Sequence, residues 1–556
     1  MEAHADPEFL RSLWRFLMAD LATAVEVIPA PPTLVERRSK RKSGRIGAWI
    51  FVLAVLSALG YIGVHVAKDL DKVVVTSVWP YLLLGLALLI ALGFEFVNGF
   101  HDTANAVATV IYTNSLPPNI AVVWSGLCNL TGVLLSSGTV AFAVITLLPV
   151  ELILKVSSGT GFSMVFALLI AAILWNLGTW WFGLPASSSH TMVGSIIGVG
   201  LASQLMNVNR GVSGLDWSQV IKVLKALLIS PLLGFALAGI LMLVSKRIFR
   251  FPSLYEAPKG KEPPPWPIRA LMVFTCTGVS FFHGSNDGQK GMGLIMLILI
   301  GTVPTAYALN HAASPAEVQS FIAASEQAGH ILDQHVSPAV ARDPDARAEV
   351  TKYIETSQLQ PDTVLALSQL VNELNREVAG YKTFQSVPAN DQTNVRNDMY
   401  LTGRALHIMA QSHNPAFTAA ESAALKDYQA RLDKSTKFIP NWVKVAVALA
   451  LGLGTMVGWK RIVITVGEKI GKEHMTYAQG ASAALVTMAT IFAADTWSLP
   501  VSTTHILSSG VAGTMAANGS GLRWSTVRNI ASGWVFTLPA AALLSGLLYF
   551  LFHTLF

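Results

Sequence analysis

The sequence predicts an all-α polytopic membrane protein, and three observations lead to that class. Hydrophobic residues make up 52% of the 556 residues and charged residues only 13%, and the mean hydropathy is +0.50. Because soluble globular chains carry about 25% charged residues, this chain has too little polar surface for several water-facing domains. Cytosolic enzymes, disordered proteins and secreted disulfide scaffolds are therefore excluded, and a bundle of membrane-spanning helices remains.

Apolar runs define the predicted helices. Because a spanning helix needs roughly 20 residues, we expect about 10 to 12 crossings. The runs at 79–112 and 271–302 are too long for one straight crossing and carry polar residues, so we expect broken or re-entrant helices there. The full set of runs is 47–66, 79–112, 119–148, 161–182, 190–206, 221–245, 271–302, 441–459, 476–497, 503–517 and 527–553.

One polar segment interrupts this pattern. Residues 303–440 contain no spanning run and carry 15 acidic and 11 basic residues. A helix-start signal at Ser314 and Glu317, and apolar residues at helical spacing near Leu370, predict a small α-helical domain; a disordered loop is the alternative. We divide the chain into six parts. They are a polar cytoplasmic N-terminal extension (1–46), a first transmembrane repeat (47–245), a basic cytoplasmic loop (246–270), the start of a second transmembrane repeat (271–302), a periplasmic helical insert (303–440) and the rest of the second repeat (441–556).

Clusters of Lys and Arg predict the orientation. Such residues concentrate in cytoplasmic loops, and they cluster at 37–42, 246–270 and 460–475. Threading the spans through these anchors places the N-terminus in the cytoplasm and the insert outside. The run 79–112 then passes from outside to inside, and 271–302 passes from inside to outside.

Two motifs occur twice. Motif A is GFHDTANA at 99–106 and GSNDGQKG at 284–291; motif B is LPASSSH at 184–190 and LPVSTTH at 499–505. Because the two A segments are expected to run in opposite directions, the sequence predicts two inverted-topology repeats. That architecture is typical of secondary transporters.

Motif A places charged groups where hydrocarbon is expected. An ionised, unpaired carboxylate there costs at least about 2.5–3.5 kcal/mol, so Asp102 and Asp287 predict a coupling-ion or proton site with Asn105 and Asn286 as neutral partners. A structural hydrogen-bond network is the alternative. His101 could relay protons or be an ordinary core histidine.

Other polar residues near motif A are candidates for the same cavity. Lys290 takes the position of Asn105 in the second copy, and its ammonium either pairs with Asp287 or supplies positive charge for an anionic substrate. Gln289 is likewise either a structural residue or a candidate phosphate ligand. Glu95 and Asn129 are candidates for lining the cavity.

Motif B combines a proline, hydroxyl residues and a histidine. A proline at a first helical turn followed by free amides and hydroxyls makes a site for a tetrahedral oxyanion such as phosphate or sulfate; ordinary N-capping is the alternative. His190 and His505 either hold the loops or share protons. The candidate ligands are Ser187, Ser188, Ser189, Thr191, Ser502, Thr503 and Thr504.

These motifs resemble those of the inorganic phosphate transporter family. The resembling stretches are 99–109, 182–191, 283–291, 467–472, 475–480 and 500–505, within a resemblance that covers most of 47–302 and 438–556. The resemblance implies cation-coupled import of inorganic phosphate by alternating access, with the motif A aspartates and asparagine near the ions and the motif B hydroxyls near phosphate. For one bacterial branch it implies proton symport, with phosphate carried as a neutral complex with a divalent cation.

Two departures from the family's commoner motif A, G-A-N-D-x-A-N-A, bear on the coupling ion. His101 replaces the first asparagine of the motif in the first copy. In the second copy, Gly288, Gln289 and Lys290 replace the later part of the motif. A lysine is a poor neighbour for sodium, so proton coupling is favoured. The alternatives are a sodium-coupled phosphate symporter, a sulfate permease of the same fold, a membrane-embedded hydrolase that uses Ser188 or Thr503, and a receptor or scaffold built on the insert.

The sequence predicts neither an enzyme nor a nucleic-acid-binding protein. We expect no catalytic residue, no resident cofactor and no protein-bound metal; the co-transported ion is a proton, and a divalent cation enters only with phosphate. The expected partners are inorganic phosphate and the lipid bilayer of a bacterial inner membrane, and a homodimer is left open. Asp495 has Trp180 at its repeat-equivalent position, so the repeat assigns it no role.

Overall fold

A computed structural model describes residues 45–70, 78–148, 159–206, 217–258, 260, 262–337 and 345–555. Within these ranges the regular structure is helical, apart from an isolated antiparallel bridge between Gly471 and Leu522. The N-terminal extension, except its last two residues, and the basic cluster at 37–42 lie outside the described residues.

The helices follow the predicted apolar runs to within a few residues at most ends. In chain order they are α1 (Arg45–Leu70), α2 (Trp79–Asp102), α3 (Ala104–Tyr112), α4 (Pro118–Leu135), α5 (Thr139–Ile145), α6 (Gly159–Trp181), α7 (Ser188–Met206), α8 (Trp217–Ile248), α9 (Trp266–Thr302), α10 (Pro304–Tyr307), α11 (Pro315–Gln334), α12 (Ala346–Thr356), α13 (Thr363–Ala379), α14 (Ala389–Ser412), α15 (Ala419–Thr436), α16 (Asn441–Thr455), α17 (Lys460–Ile464), α18 (Tyr477–Thr496), α19 (Thr503–Asn518) and α20 (Trp524–Leu555).

Seven spans in the described part of the chain are long and apolar enough to cross a bilayer, and a bent pair, α15 with α16, is an eighth candidate. They lie in α1, α2 with α3, α4, α6, α8, α18 and α20. This number is below the 10 to 12 segments predicted, because α7, α9 and α19 are too short or too polar to qualify alone. These three helices nevertheless pack among the spans and begin at or contain the duplicated motifs.

Two predicted elements differ from the observed ones. The run 119–148 is divided, because α4 ends at Leu135 and Gly138 adopts a left-handed φ of 84° before α5 begins. The expected interruption of 271–302 is absent, since α9 is one continuous helix of 37 residues. Its polar side chains find partners on neighbouring helices, so the backbone need not open to satisfy them. The run 79–112 is interrupted only at Thr103, between α2 and α3, where the backbone keeps helical dihedral angles of φ −51° and ψ −36°.

The two motif A segments run antiparallel. Arg269, in the first turn of α9, donates from Nε to the carbonyl of Ser115, just after α3, at 2.9 Å. Deeper in the body, His283 of α9 lies 3.8 Å from Asp102. Residue numbers therefore rise along α9 as the numbers of their partners on α3 and α2 fall, which means that the two segments run in opposite directions.

Packing between the two halves is reciprocal. The helix after each motif B copy packs mainly against the long helix that follows the other copy, α7 against α20 and α19 against α8. The first glycine of each motif A copy also meets a neighbouring backbone. A Cβ on Gly99 would overlap the carbonyl of Leu451 on α16, and a Cβ on Gly284 would overlap that of Asn129 on α4.

The insert is helical, with a core of its own formed from α11 to α15. The predicted start at Ser314 is confirmed: its side chain and that of Glu317 form a capping box at α11. The half-exposed guanidinium of Arg347 forms two hydrogen bonds of 2.7 Å with the buried Asp398 carboxylate. Burial raises the pKa of Asp398, and the Arg347 guanidinium opposes that rise.

The close approach at Gly99 leads to a stability prediction. Gly99→Ala should lower the free energy of unfolding by about 1–3 kcal/mol, because the added methyl group forces α2 away from α16. The measurement is the thermal unfolding midpoint in detergent. Gly93→Ala is the control, because Gly93 is also on α2 and a Cβ there would meet no atom within 4 Å. Equal unfolding midpoints for the two variants would show that α2 and α16 are not closely packed at Gly99.

Candidate functional site

Each copy of motif B forms the start of a helix. The hydroxyl of Ser187 accepts from the amide of His190 at 3.2 Å, and the hydroxyl of Ser502 accepts from the amide of His505 at 3.1 Å. The capping alternative therefore applies to these two serines. Thr191 is also occupied locally, since it donates to the Ser187 carbonyl at 3.0 Å.

Two further hydroxyls of motif B, those of Ser188 and Thr504, meet the first copy of motif A. Asp102 accepts a hydrogen bond of 3.0 Å from Ser188, in the first motif B, and one of 2.8 Å from Thr504, in the second. Asp102 is only 3% exposed. One buried carboxylate therefore joins both halves of the chain.

His101 orients the same carboxylate. Its Nδ1 lies 3.1 Å from Oδ1 of Asp102, and its Nε2 lies 3.1 Å from the hydroxyl of Thr179 on α6. With both ring nitrogens engaged, the imidazole is fixed beside Asp102. His101 therefore lies where sequence reasoning placed it, next to the predicted ion or proton site.

Asn105 and Lys290 make equivalent contacts. Asn105 donates to Thr503 at 3.1 Å and to Thr504 at 2.9 Å, in the motif B copy of the other half. Lys290 donates to Ser189 at 2.5 Å, again in the motif B copy of the other half. Both donors reach the last hydroxyl before the histidine. The second half therefore keeps this hydrogen bond but makes it with a cation.

A histidine that sequence reasoning did not select lies between the two aspartates. Nε2 of His283 is 3.8 Å from Asp102 Oδ2 and 3.7 Å from Asp287 Oδ2. Its Nδ1 is 2.9 Å from Oδ1 of Asn129, whose amide donates to Thr455 at 3.1 Å. One signal could have found His283, because it precedes Asp287 by four residues and so shares its helix face.

The same three groups could hold a small cation or a proton. One ligand atom from each of Asp102, His283 and Asp287 lies within 4.8 Å of the others, and all three residues are buried. Asp287 also forms an ion pair of 2.7 Å with the ammonium of Lys290. The cluster therefore combines two carboxylates with a single ammonium, and it needs protons or a cation to balance its charge.

Two predicted residues, Asn286 and Gln289, belong to a separate network. Asn286 donates to the Leu499 carbonyl at 3.2 Å, and Gln289 donates to Asp495 at 2.8 Å. Asp495 also accepts from Ser285 at 2.8 Å. These bonds hold the segment before the second motif B against α9. Asp495 is the second polar residue that sequence reasoning did not select, since its repeat equivalent is Trp180.

The two motif B histidines stack on each other. Their ring centroids are 4.4 Å apart, and His505 also stacks on Trp534 at 4.3 Å. His190 and His505 therefore join the first turns of α7 and α19. Glu95, the last cavity candidate, is buried on α2 against Gly291 of α9.

The arrangement suits binding of an anion together with a cation or a proton. Hydroxyl donors at two helix N-termini and the ammonium of Lys290 attract an anion. The carboxylates of Asp102 and Asp287 repel it unless positive charge accompanies it. Binding of the two species is therefore interdependent.

Comparison with known proteins supports a role in transport. The phosphate transporter family matches residues 98–545. Low-affinity inorganic phosphate transporter PitA of Escherichia coli (strain K12) is 41% identical over 488 residues, 84% of this chain and 96% of that protein. PitB of the same strain is 39% identical, over 85% and 97% of the two chains. These relatives are named as transporters, in agreement with the prediction that the chain is not an enzyme.

One solved structure also matches. It is described as the sodium-dependent phosphate transporter, and the match covers 85% of this chain and 100% of that chain, with 18% sequence identity and a TM-score of 0.45. The family match spans both copies of both motifs. The chain therefore belongs to the phosphate transporter family.

Proposed function

We propose that the chain imports inorganic phosphate across the bacterial inner membrane by symport with protons. Phosphate enters either free or as a neutral complex with a divalent cation. The observation that carries the proposal is the pair of hydrogen bonds at Asp102, one from each copy of motif B. A substrate that replaces these bonds contacts both halves, so its binding can drive alternating access between inverted repeats.

The carboxylate of Asp102 favours phosphate over sulfate. At neutral pH phosphate carries one or two protons and can donate a hydrogen bond, whereas sulfate can only accept. A site with a buried carboxylate acceptor among hydroxyl donors therefore suits phosphate. Two neighbours supply further donors to these hydroxyls, the amide of Asn105 and the ammonium of Lys290.

Charge balance supports protons as the coupling ion. Asp102 and Asp287 contribute two negative charges against the one positive charge of Lys290, and phosphate adds more negative charge. His101 and His283 lie within 4 Å of these carboxylates, and each imidazole can accept a proton. A chamber lined with imidazoles and carboxylates can take up the required protons. Lys290 takes the position that Asn105 has in the first copy of motif A, and an ammonium at that position cannot serve as a ligand for sodium.

The direct test is uptake of labelled phosphate into proteoliposomes, driven by an inward proton gradient without sodium and with excess sulfate present. Asp102→Asn should reduce accumulation at least about tenfold, because the charged acceptor of two hydroxyls is lost. Asp362→Asn is the control, since Asp362 precedes α13 without a side-chain capping bond. Sulfate uptake that survives Asp102→Asn together with Asp287→Asn would support the sulfate alternative.

Lys290 should determine affinity for the anion. Lys290→Met should raise the phosphate concentration for half-maximal uptake about tenfold or more, since a charge-assisted hydrogen bond is lost. Lys444→Met is the matched control, because Lys444 binds the Ser136 carbonyl at 3.0 Å, outside the motif cluster. An unchanged concentration dependence in Lys290→Met would remove the lysine from the binding site.

The proposal includes an orientation. The continuous helix α9 is about 55 Å long, more than the roughly 30 Å of a hydrocarbon core, so its ends lie on opposite sides. The basic loop 246–270 precedes α9 and the insert follows it. The positive-inside rule then places the loop in the cytoplasm and the insert in the periplasm.

Cysteine labelling tests this orientation. In a chain with Cys128 and Cys276 replaced by serine, Gln358→Cys in the insert should react with an impermeant maleimide added to spheroplasts. Glu262→Cys in the basic loop should react only after lysis. Both positions are exposed in the structure, so accessibility follows the side of the membrane. The reverse pattern would invert the proposed topology.

A further inference from the structure

A buried glutamate lies outside the hydrogen-bonded cluster. Glu95 is fully buried on α2, about two turns before Asp102. Its carboxyl lies against Gly291 of α9, where any Cβ would overlap it. The last glycine of the second motif A copy therefore leaves space for this acid.

The surroundings of Glu95 are unsuited to a carboxylate ion. Neither of its oxygens accepts a hydrogen bond from the described residues, although the Asn98 side chain and the Gly291 backbone lie beside it. Burying an ionised carboxylate without donors is strongly unfavourable. The surroundings of Glu95 in this conformation therefore favour the protonated, neutral acid over the carboxylate ion.

The charged groups that face Glu95 come from α9. They are Asp287 and Lys290, which form an ion pair of 2.7 Å. Of the other helices packed against α2, α6 carries no titratable side chain, α16 carries only Lys444, α7 carries only His190 and α3 carries only Tyr112. The ammonium of Lys290 is therefore the positive charge that faces Glu95 from α9, and it is already paired with Asp287.

We propose that Glu95 carries the coupled proton and that Lys290 transmits its protonation state to the phosphate site. This inference rests on the proposed function. Ionised Glu95 competes with phosphate for the positive charge of Lys290, whereas neutral Glu95 does not. Proton binding therefore raises the affinity for phosphate, and by linkage phosphate raises the affinity for the proton to the same degree.

The proton balance of the cycle is simple. In the outward-facing state a proton from external water binds a Glu95 oxygen, and phosphate binds at Lys290 and the motif B hydroxyls. In the inward-facing state phosphate leaves and Glu95 releases its proton to cytoplasmic water. The empty carrier returns with Glu95 ionised, and Lys290 then balances part of the charge of both carboxylates.

The test compares two activities of Glu95→Gln in proteoliposomes. Phosphate–phosphate exchange without a gradient requires the binding site but no net proton movement, and in Glu95→Gln it should persist with a weaker dependence on pH than in the wild type. Accumulation driven by a proton gradient, about tenfold per pH unit for one proton per phosphate in the wild type, should be lost. Glu373→Gln is the control for replacing a glutamate with a glutamine, because Glu373 is a half-exposed residue of the insert.

The outcomes separate this inference from the proposed function. Accumulation in Glu95→Gln equal to wild type, with the same pH profile, would overturn the role of Glu95 alone. A wild-type protein that exchanges phosphate but does not accumulate it with a proton gradient would instead overturn proton coupling itself. Should Glu95→Gln fail to fold, Glu95→Asp provides the second test: it should retain coupling with a shifted pH profile, and an unchanged profile would contradict the inference.

Discussion

A carboxylate in the interior of a membrane protein must be compensated, and the compensation of Asp102 and Asp287 organises this structure. Neither residue can face lipid, so the helices that carry them, α2 and α9, pack together near the middle of the bundle. Hydroxyls from two distant segments then turn towards Asp102, and Lys290 pairs with Asp287. The half-length helices α7 and α19 begin where these hydroxyls are needed. Bilayer electrostatics and anion recognition therefore impose the same geometry.

The two halves are similar but not equivalent in charge. Asn105 and Lys290 each donate to the last hydroxyl of the opposite motif B, so the second half replaces a neutral donor with a cation. Around this position lie His283, between the aspartates, and Glu95, against Gly291 one turn after Asp287. A symmetric pair of sites would bind the same species twice. Under the proposed function, the substitution gives one chamber an anion-binding side and a proton-binding side.

Local patterns in the sequence predict most of the fold. The apolar runs locate the membrane helices, and the capping box at Ser314 locates the start of α11. The continuity of α9 was not predictable in this way, because the partners that satisfy its polar residues lie on other helices. Asp495 shows the same limit, since its partner Ser285 is 210 residues away. Repetition identifies Asp102, Asn105 and the hydroxyls, but it cannot identify residues such as His283 that lack a similar equivalent.

The central claim is that phosphate binds where the four motif segments converge. The most direct measurement is a crystal structure with bound arsenate, a phosphate analogue located by its anomalous scattering. The account predicts one peak within hydrogen-bonding distance of the hydroxyls of Ser188 and Thr504 and of the ammonium of Lys290. A peak elsewhere, with the bonds from Ser188 and Thr504 to Asp102 intact, would contradict the account.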